Sequence, residues 1–138
     1  MELVLFIARL SLKIFIWRTR VKQKIPNNRQ TGSYYERQAA LFLEQQGFQI
    51  VEQNYRNRRG EIDIIAREGN YLVFVEVKYR KNQSLGYPEE AVHSQKQHKI
   101  RCTASYYLYS CHYHEETPCR FDVVSIVGEE ILLIRDAF

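Results

Sequence analysis

The chain has 138 residues, 45% of them apolar and 26% charged, which suits one globular domain with a modest core. Its formal charge of +4 is unevenly placed: residues 1–30 hold seven cations against Glu2 alone, while the rest carries thirteen cations and fifteen acids. The basic balance therefore describes an N-terminal extension and says little about the domain. Three cysteines, an odd count at irregular spacing, imply no disulfide framework and point to a reducing, cytoplasmic setting.

The first segment, "MELVLFIARLSLKIFIWRTRVKQK", is apolar but interrupted by Arg9 and Lys13. No apolar run approaches the roughly 20 residues of a spanning helix. A signal peptide would carry its cations first, and here they come last. Arg9 and Lys13, four apart, share one face of a helix, so the spacing permits an amphipathic helix. Such a helix could pack on the domain or a second subunit, or lie on a membrane surface. Packing is the favoured reading. "IPNNRQTG" (Ile25–Gly32) reads as a linker, so residues 1–30 form the extension and 31–138 the domain.

"SYYERQAALFLEQQG" follows. Ser33 is the expected N-cap, and Glu36 three residues on completes a capping box. Ala39, Ala40, Phe42 and Leu43 keep the helical period, and Gly47 stops it. "FQIVEQNYR", "EIDIIA" and "YLVFVEVKYR" are successive strands, the last being the strongest strand signal in the chain. "KNQSLGYPEE" is a loop, and a long helix is expected from about Glu89 to Tyr113, with a break near His93 and Ser94. "RFDVVSIV" and "EEILLIRDAF" supply a fourth strand and a short fifth. The order is αβββαβ with one extra strand, an α/β domain. The run Cys111-His112-Tyr113-His114 with Cys119 matches no standard zinc spacing and is expected at the helix end and its loop.

Acids inside the second and third strands set the functional question. A two-residue turn at Gly69-Asn70 pairs Glu68 with Tyr71, and by counting back it sets Asp63 opposite Glu76. Alternation then places Glu61, Asp63, Glu76 and Lys78 on one face, with Ile62, Ile64, Val75 and Val77 on the other. Facing carboxylates lie about 5 Å apart at Cβ and destabilise a sheet. A divalent cation would relieve that repulsion, and carboxylates with water and phosphate oxygens form the shell magnesium takes. A lysine beside them could hold an attacking water or stabilise a pentacovalent phosphate. The competing reading is a half-exposed sheet of solvated charges, with Lys78 bridged to Glu61. The D…E-x-K set favours metal-assisted phosphodiester hydrolysis.

The stretches "YYERQAALFLEQQGFQIVEQNYR", "GEIDIIAREG", "FVEVKYRK" and "FDVV" stand in an order and spacing that resembles the YraN-type family of small bacterial proteins. The likeness covers about Gly32 to Phe138. It implies a restriction-endonuclease-like fold, a mixed central sheet flanked by helices, similar to archaeal Holliday-junction resolvases. By that resemblance Glu36 is the helix acid, Asp63 and Glu76 are metal ligands for Mg2+ or Mn2+, and Lys78 is the catalytic lysine. The activity implied is cutting of DNA, with branched or repair substrates among the candidates, and a homodimer by analogy with resolvases. The alternative is a non-catalytic DNA-binding or assembly module that retains the fold. Candidate phosphate contacts are Arg56, Arg58 and Arg59 before the second strand, Arg80 on the face of Lys78 at the end of the third with Lys81 following, and Lys96, Gln97 and Lys99 on the long helix. The tyrosines at 106, 107, 109 and 113 follow the helix period and are expected in core and interface roles.

Overall fold

The computed structural model describes residues 14–18, 28–81 and 92–138. In chain order these form β1 (Ile14–Arg18), α1 (Asn28–Gln45), β2 (Gln49–Asn57), β3 (Gly60–Glu68), β4 (Tyr71–Arg80), α2 (Ser94–Ser110), β5 (Cys119–Val127) and β6 (Glu130–Ile134). The strands make one six-stranded sheet in the order β1-β6-β5-β4-β3-β2. β4 and β5 run parallel, joined by the crossover that contains α2, and every other pair is antiparallel. This is the αβββαβ restriction-endonuclease-like core with a mixed sheet.

Strand alternation divides the core into two layers. On one face Ala39, Ala40, Phe42 and Leu43 of α1 pack on Ile64, Ala66, Val73, Val75, Val124 and Leu133. On the other, Ile100, Ala104 and Tyr107 of α2 cover Ile65, Leu72, Phe74 and Val123. A buried aliphatic side chain contributes on the order of 1.5–3 kcal/mol, so the two layers supply the main drive to fold. The expected hairpin is present. Glu68 pairs with Tyr71 and the register runs back to Ile64 with Val75. Gly69 takes a φ of +57°, the sign required at the first position of a type II′ turn.

Two boundary expectations are corrected. α1 begins at Asn28, so Ser33 lies a turn inside the helix and caps nothing, and Glu36 is not a capping-box residue. The turn-rich letters of "NNRQTG" are tolerated because Asn is itself a good helix starter. An amphipathic helix over residues 1–24 also fails where it is described. Ile14–Arg18 is a strand, pairing antiparallel with β6 from Ile14–Ile134 to Arg18–Glu130. The sequence IFIWR is rich in β-branched and aromatic residues, and β6 without it would be an open edge. The sheet therefore draws on the extension, and the boundary at residue 30 does not separate it from the domain. The other residues of 1–24, and the loop 82–91, lie outside the described residues. α2 ends at Ser110 with Cys111 as its C-cap, so the Cys-His run forms the helix end and its loop.

Candidate functional site

The end of β4 carries the chemistry. Phe74 faces α2, so by alternation Glu76 and Lys78 point to the α2 face, while Val77 and Tyr79 pack toward α1. Glu76 is only 3% exposed. Its Oε1 receives two ammonium groups, Lys78 Nζ at 2.9 Å and Lys96 Nζ at 3.3 Å. Its Oε2 is buried and has no hydrogen-bond partner. An unpaired buried carboxylate oxygen costs several kcal/mol as an order of magnitude, a cost that a water or a cation reaching it would relieve.

Asp63 is held in an unusual way. Its Oδ2 accepts the backbone N–H of Val77 at 2.8 Å. The paired register of β3 with β4 stops at Ile64–Val75, one step short of the expected Asp63–Glu76 pair. The side chain thus stands in the ladder where a carbonyl would be. Its neighbours then fall on opposite faces: Ile62 joins the α2 layer and Ile64 the α1 layer. The expectation that Ile62 and Ile64 share a face is overturned for this reason, since a residue in the plane of the sheet resets the alternation. On its other side β3 pairs with β2 from Gln49–Arg67 to Asn57–Gly60, with a register shift between Ile50 and Glu52 and no pair at Asp63, where Asn54 takes a φ of +57°.

Standing between the layers, Asp63 feels charges from both. Burial first, then the Glu76 carboxylate, push its acid up to about 7. The Val77 hydrogen bond and Lys96 oppose this, and Glu36 on α1 adds a smaller push upward. Glu36 is placed by the ring of the preceding residue: Tyr35 stacks on Tyr79 of β4 with centroids 3.5 Å apart and planes 13° from parallel. The Glu36 carboxylate folds back toward Gly32, where a Cβ would lie 3.9 Å from Oε1. Glu61 takes no part in the site. It pairs with Arg56 at 3.2 Å, and Lys78 bridges Glu76 instead.

Among the described residues no three or more His, Cys, Asp or Glu gather to hold a metal ion. Asp63 and Glu76 are a pair, with Glu36 near enough to be felt. Two carboxylates, one with an orphaned buried oxygen, fit a hard divalent cation that keeps water and phosphate in its shell. Magnesium is commonly bound through one or two carboxylates in this way. These donors suit Mg2+ or Mn2+ and are poor partners for soft metals.

The predicted phosphate contacts separate on inspection. Arg58 and Arg59 are exposed at the β2–β3 turn, where Asn57 Oδ1 accepts the N–H groups of Arg59 at 2.8 Å and Gly60 at 3.2 Å. Arg56 beside them is exposed but engaged with Glu61. The turn approaches α2 closely. A Cβ on Gly60 would lie 3.0 Å from Thr103 Oγ1 and 3.7 Å from the Lys99 Cβ, which explains why glycine stands there. Exposed Lys99 is thus adjacent to the arginine turn, and Lys96 lies one turn back on the same helix. Arg80 follows Lys78 on the same face by alternation, and Lys81 is exposed beyond it. Gln97 is committed elsewhere, its Nε2 donating to the Val92 carbonyl at 2.8 Å.

Lys96, expected as a phosphate contact on the long helix, has its ammonium on Glu76 in this structure and a side chain 25% exposed. One signal was readable. Lys96 falls in the first turn of a helix with no acid there, the wrong end of the dipole for a cation.

Fold and site together define an α/β domain of the restriction-endonuclease-like class, with an acid–acid–lysine set at the open end of its central strands. Residues 35–126 match the model of uncharacterised protein family UPF0102, and the chain belongs to that family. A UPF0102 protein of Lachnoclostridium phytofermentans is 56% identical over 112 residues, covering 81% of this chain and 95% of the relative. UPF0102 proteins of Cytophaga hutchinsonii and Syntrophus aciditrophicus are 48% and 44% identical, over 74% and 83% of this chain and 88% and 93% of their own lengths. No described helix is long and apolar enough to cross a membrane.

Proposed function

We propose that this protein is a metal-dependent DNA endonuclease that hydrolyses phosphodiester bonds, with Asp63 and Glu76 holding Mg2+ or Mn2+. The observation that carries the reading is the buried, partnerless Oε2 of Glu76 beside a second carboxylate whose charge is disfavoured. A sheet built only for stability would not set these groups together. When bound, the ion would polarise a phosphate oxygen and activate water.

The chain's own residues have separable tasks. Asp63 is fixed by the Val77 N–H, so its carboxylate is oriented before any ligand arrives. Glu36 supplies further negative charge from α1. Lys78 is one-third exposed, with its ammonium on Glu76 Oε1, where it can reach both the carboxylates and a group arriving from solvent. That suits it to hold an attacking water or the charge of the transition state. Arg58, Arg59, Lys99, Arg80 and Lys81 would meet the phosphate backbone along the rim. Arg56 would join them if it released Glu61. Among the described residues no base-reading element stands out, so binding should be independent of sequence and fall steeply with salt.

The test is a cleavage panel of single-stranded, duplex, flapped and four-way DNA with Mg2+ or Mn2+, run beside Glu76→Gln. Cutting of at least one substrate by the parent and not by the variant is expected. Salt-sensitive DNA binding with no cutting and no metal uptake would instead favour the binding-module alternative.

A further inference from the structure

We propose that Lys96 is an exchangeable counter-ion: it neutralises Glu76 while the site is empty, and a divalent cation displaces it toward the phosphate of the bound DNA. The inference rests on the metal-dependent reading above and deepens it, by assigning how the site is kept in balance and how it is filled.

The charge count leads to it. The Glu76 carboxylate carries both Lys78 and Lys96, Lys96 also faces Asp63, and Glu36 adds a third, more distant carboxylate. A divalent cation added to that set leaves an excess of positive charge in a largely buried place. Either an ammonium moves away or an anion arrives. Both happen if a lysine turns from Glu76 to an incoming phosphate.

Of the two lysines, Lys96 is the one built to move. Its contact is the longer, 3.3 Å against 2.9 Å for Lys78. Both ammoniums crowd one oxygen of Glu76 and leave the other bare, so neither is tied by a two-point geometry. The Lys96 backbone is anchored apart from the site, with its N–H donating to the His93 carbonyl at 3.0 Å and the His93 Nδ1 at 3.3 Å. Only the flexible four-carbon stem needs to swing. The helix gains nothing from a cation at this end, where its dipole is positive and the first turn holds no acid. Glu76 offsets that penalty in the empty state, and a phosphate would offset it in the loaded one. Once released, Lys96 enters a rim already cationic through Lys99 and the arginines of the β2–β3 turn, a region that favours an incoming phosphate.

Pulsed acetylation of the full chain, read by peptide mass spectrometry, measures the accessibility of each lysine without DNA or activity. It is run with and without Mn2+, and Mn2+ uptake is followed in parallel by calorimetry. Saturating Mn2+ is expected to raise labelling of Lys96 severalfold and leave Lys78 and Lys99 unchanged. Lys96→Met should bind Mn2+ about tenfold more tightly, since one opposing charge is gone from a partly buried site. Mn2+ bound with Lys96 labelling unmoved, or with Lys78 released instead, would overturn the exchange while leaving the metal site standing. No saturable Mn2+ uptake by either the parent or Lys96→Met would overturn the metal-dependent reading and the exchange with it.

Discussion

Two ionic clusters sit on this sheet, at opposite ends and on opposite faces, and they are built to different rules. Near the start of β4, Arg120 holds the fully buried Asp122 with two bonds of 2.8 Å and also reaches Glu68, which Arg135 meets at 2.8 Å. Asp122 Oδ1 further accepts the N–H of Asp136 at 2.9 Å. Both oxygens of Glu68 and both of Asp122 are in use. Burial alone would raise the Glu68 acid, but the bonds and charges of Arg135 and Arg120 hold it below the usual range. At the far end of β4, Lys78 and Lys96 both sit on one oxygen of Glu76, the other oxygen is left bare and Asp63 is pushed upward. Arginine forks close the first cluster, and single-point lysine contacts leave one oxygen of the second unused. The difference separates a group that staples the β3–β4 turn to β5 and the C-terminal segment from one that keeps an unsatisfied carboxylate oxygen.

The largest expected effect lies in the closed cluster. Arg120→Met leaves the Asp122 carboxylate buried without its bidentate partner and should cost about 3–5 kcal/mol in chemical denaturation. A loss under about 1 kcal/mol would mean the network is ornamental, and the contrast between the clusters would lose its first half.

In the open cluster the expected effects are on chemistry before stability. Lys78→Ala should leave metal and DNA binding in place while single-turnover cleavage falls about a hundredfold, the scale of losing a transition-state stabiliser. Equal loss of DNA binding and cleavage would make Lys78 a phosphate contact only.

Asp63→Asn sharpens the contrast through pH. The acid of Asp63 rises from 3.8 to about 7 on folding, so between those values the native state holds more protons than the unfolded one. Stability contributed by this group is therefore present below about pH 4 and is lost as pH rises through 7. Asn keeps an oxygen for the Val77 N–H and carries no charge. The variant should exceed the metal-free parent by on the order of 1 kcal/mol or more above pH 7, and match it near pH 4. Glu68 has the opposite sign: its acid is lowered, so its contribution is lost as pH falls below the usual carboxylate range. Glu76→Gln should gain little, because it leaves the Lys78 and Lys96 ammoniums without their carboxylate. A parent and Asp63→Asn that show parallel stability profiles from pH 4 to 8 would remove the strain assigned to the site.

The smallest effect is expected at the surface. Arg56 and Glu61 have side chains 71% and 48% exposed, so Arg56→Ala should change stability by less than about 1 kcal/mol. Its effect on DNA affinity at low salt, if Arg56 meets phosphate, should be larger than its effect on the fold.

How much of this could be read from the letters depends on whether the deciding interaction is local. β2 to β6 follow from alternation and turn residues, and the Gly69-Asn70 turn sets the register as far as Ile64–Val75. Asp63, Glu76 and Lys78 were legible because they lie in that hairpin. The in-plane seat of Asp63 was not, since counting along strands assumes a ladder that never opens. Nor was the reach of Lys96 to Glu76, which comes through the crossover and not along a strand. IFIWR reads as part of an amphipathic helix and becomes a strand because β6 supplies an edge, and the start of α1 at Asn28 is hidden behind letters that favour turns. The closed cluster escaped notice for the same reason as Lys96: Glu68, Arg120 and Arg135 are far apart in the chain and carry no shared spacing.

The central claim is that the open cluster is open for a cation. Calorimetric titration of Mn2+ into the parent, Glu76→Gln and Glu68→Gln tests it directly, because the two variants remove one carboxylate from each cluster. Saturable binding by the parent and by Glu68→Gln, with binding lost or weakened at least about tenfold in Glu76→Gln, is the expected result. Glu76→Gln binding Mn2+ as tightly as the parent would contradict it, and the buried oxygen would then belong to a salt-bridged sheet.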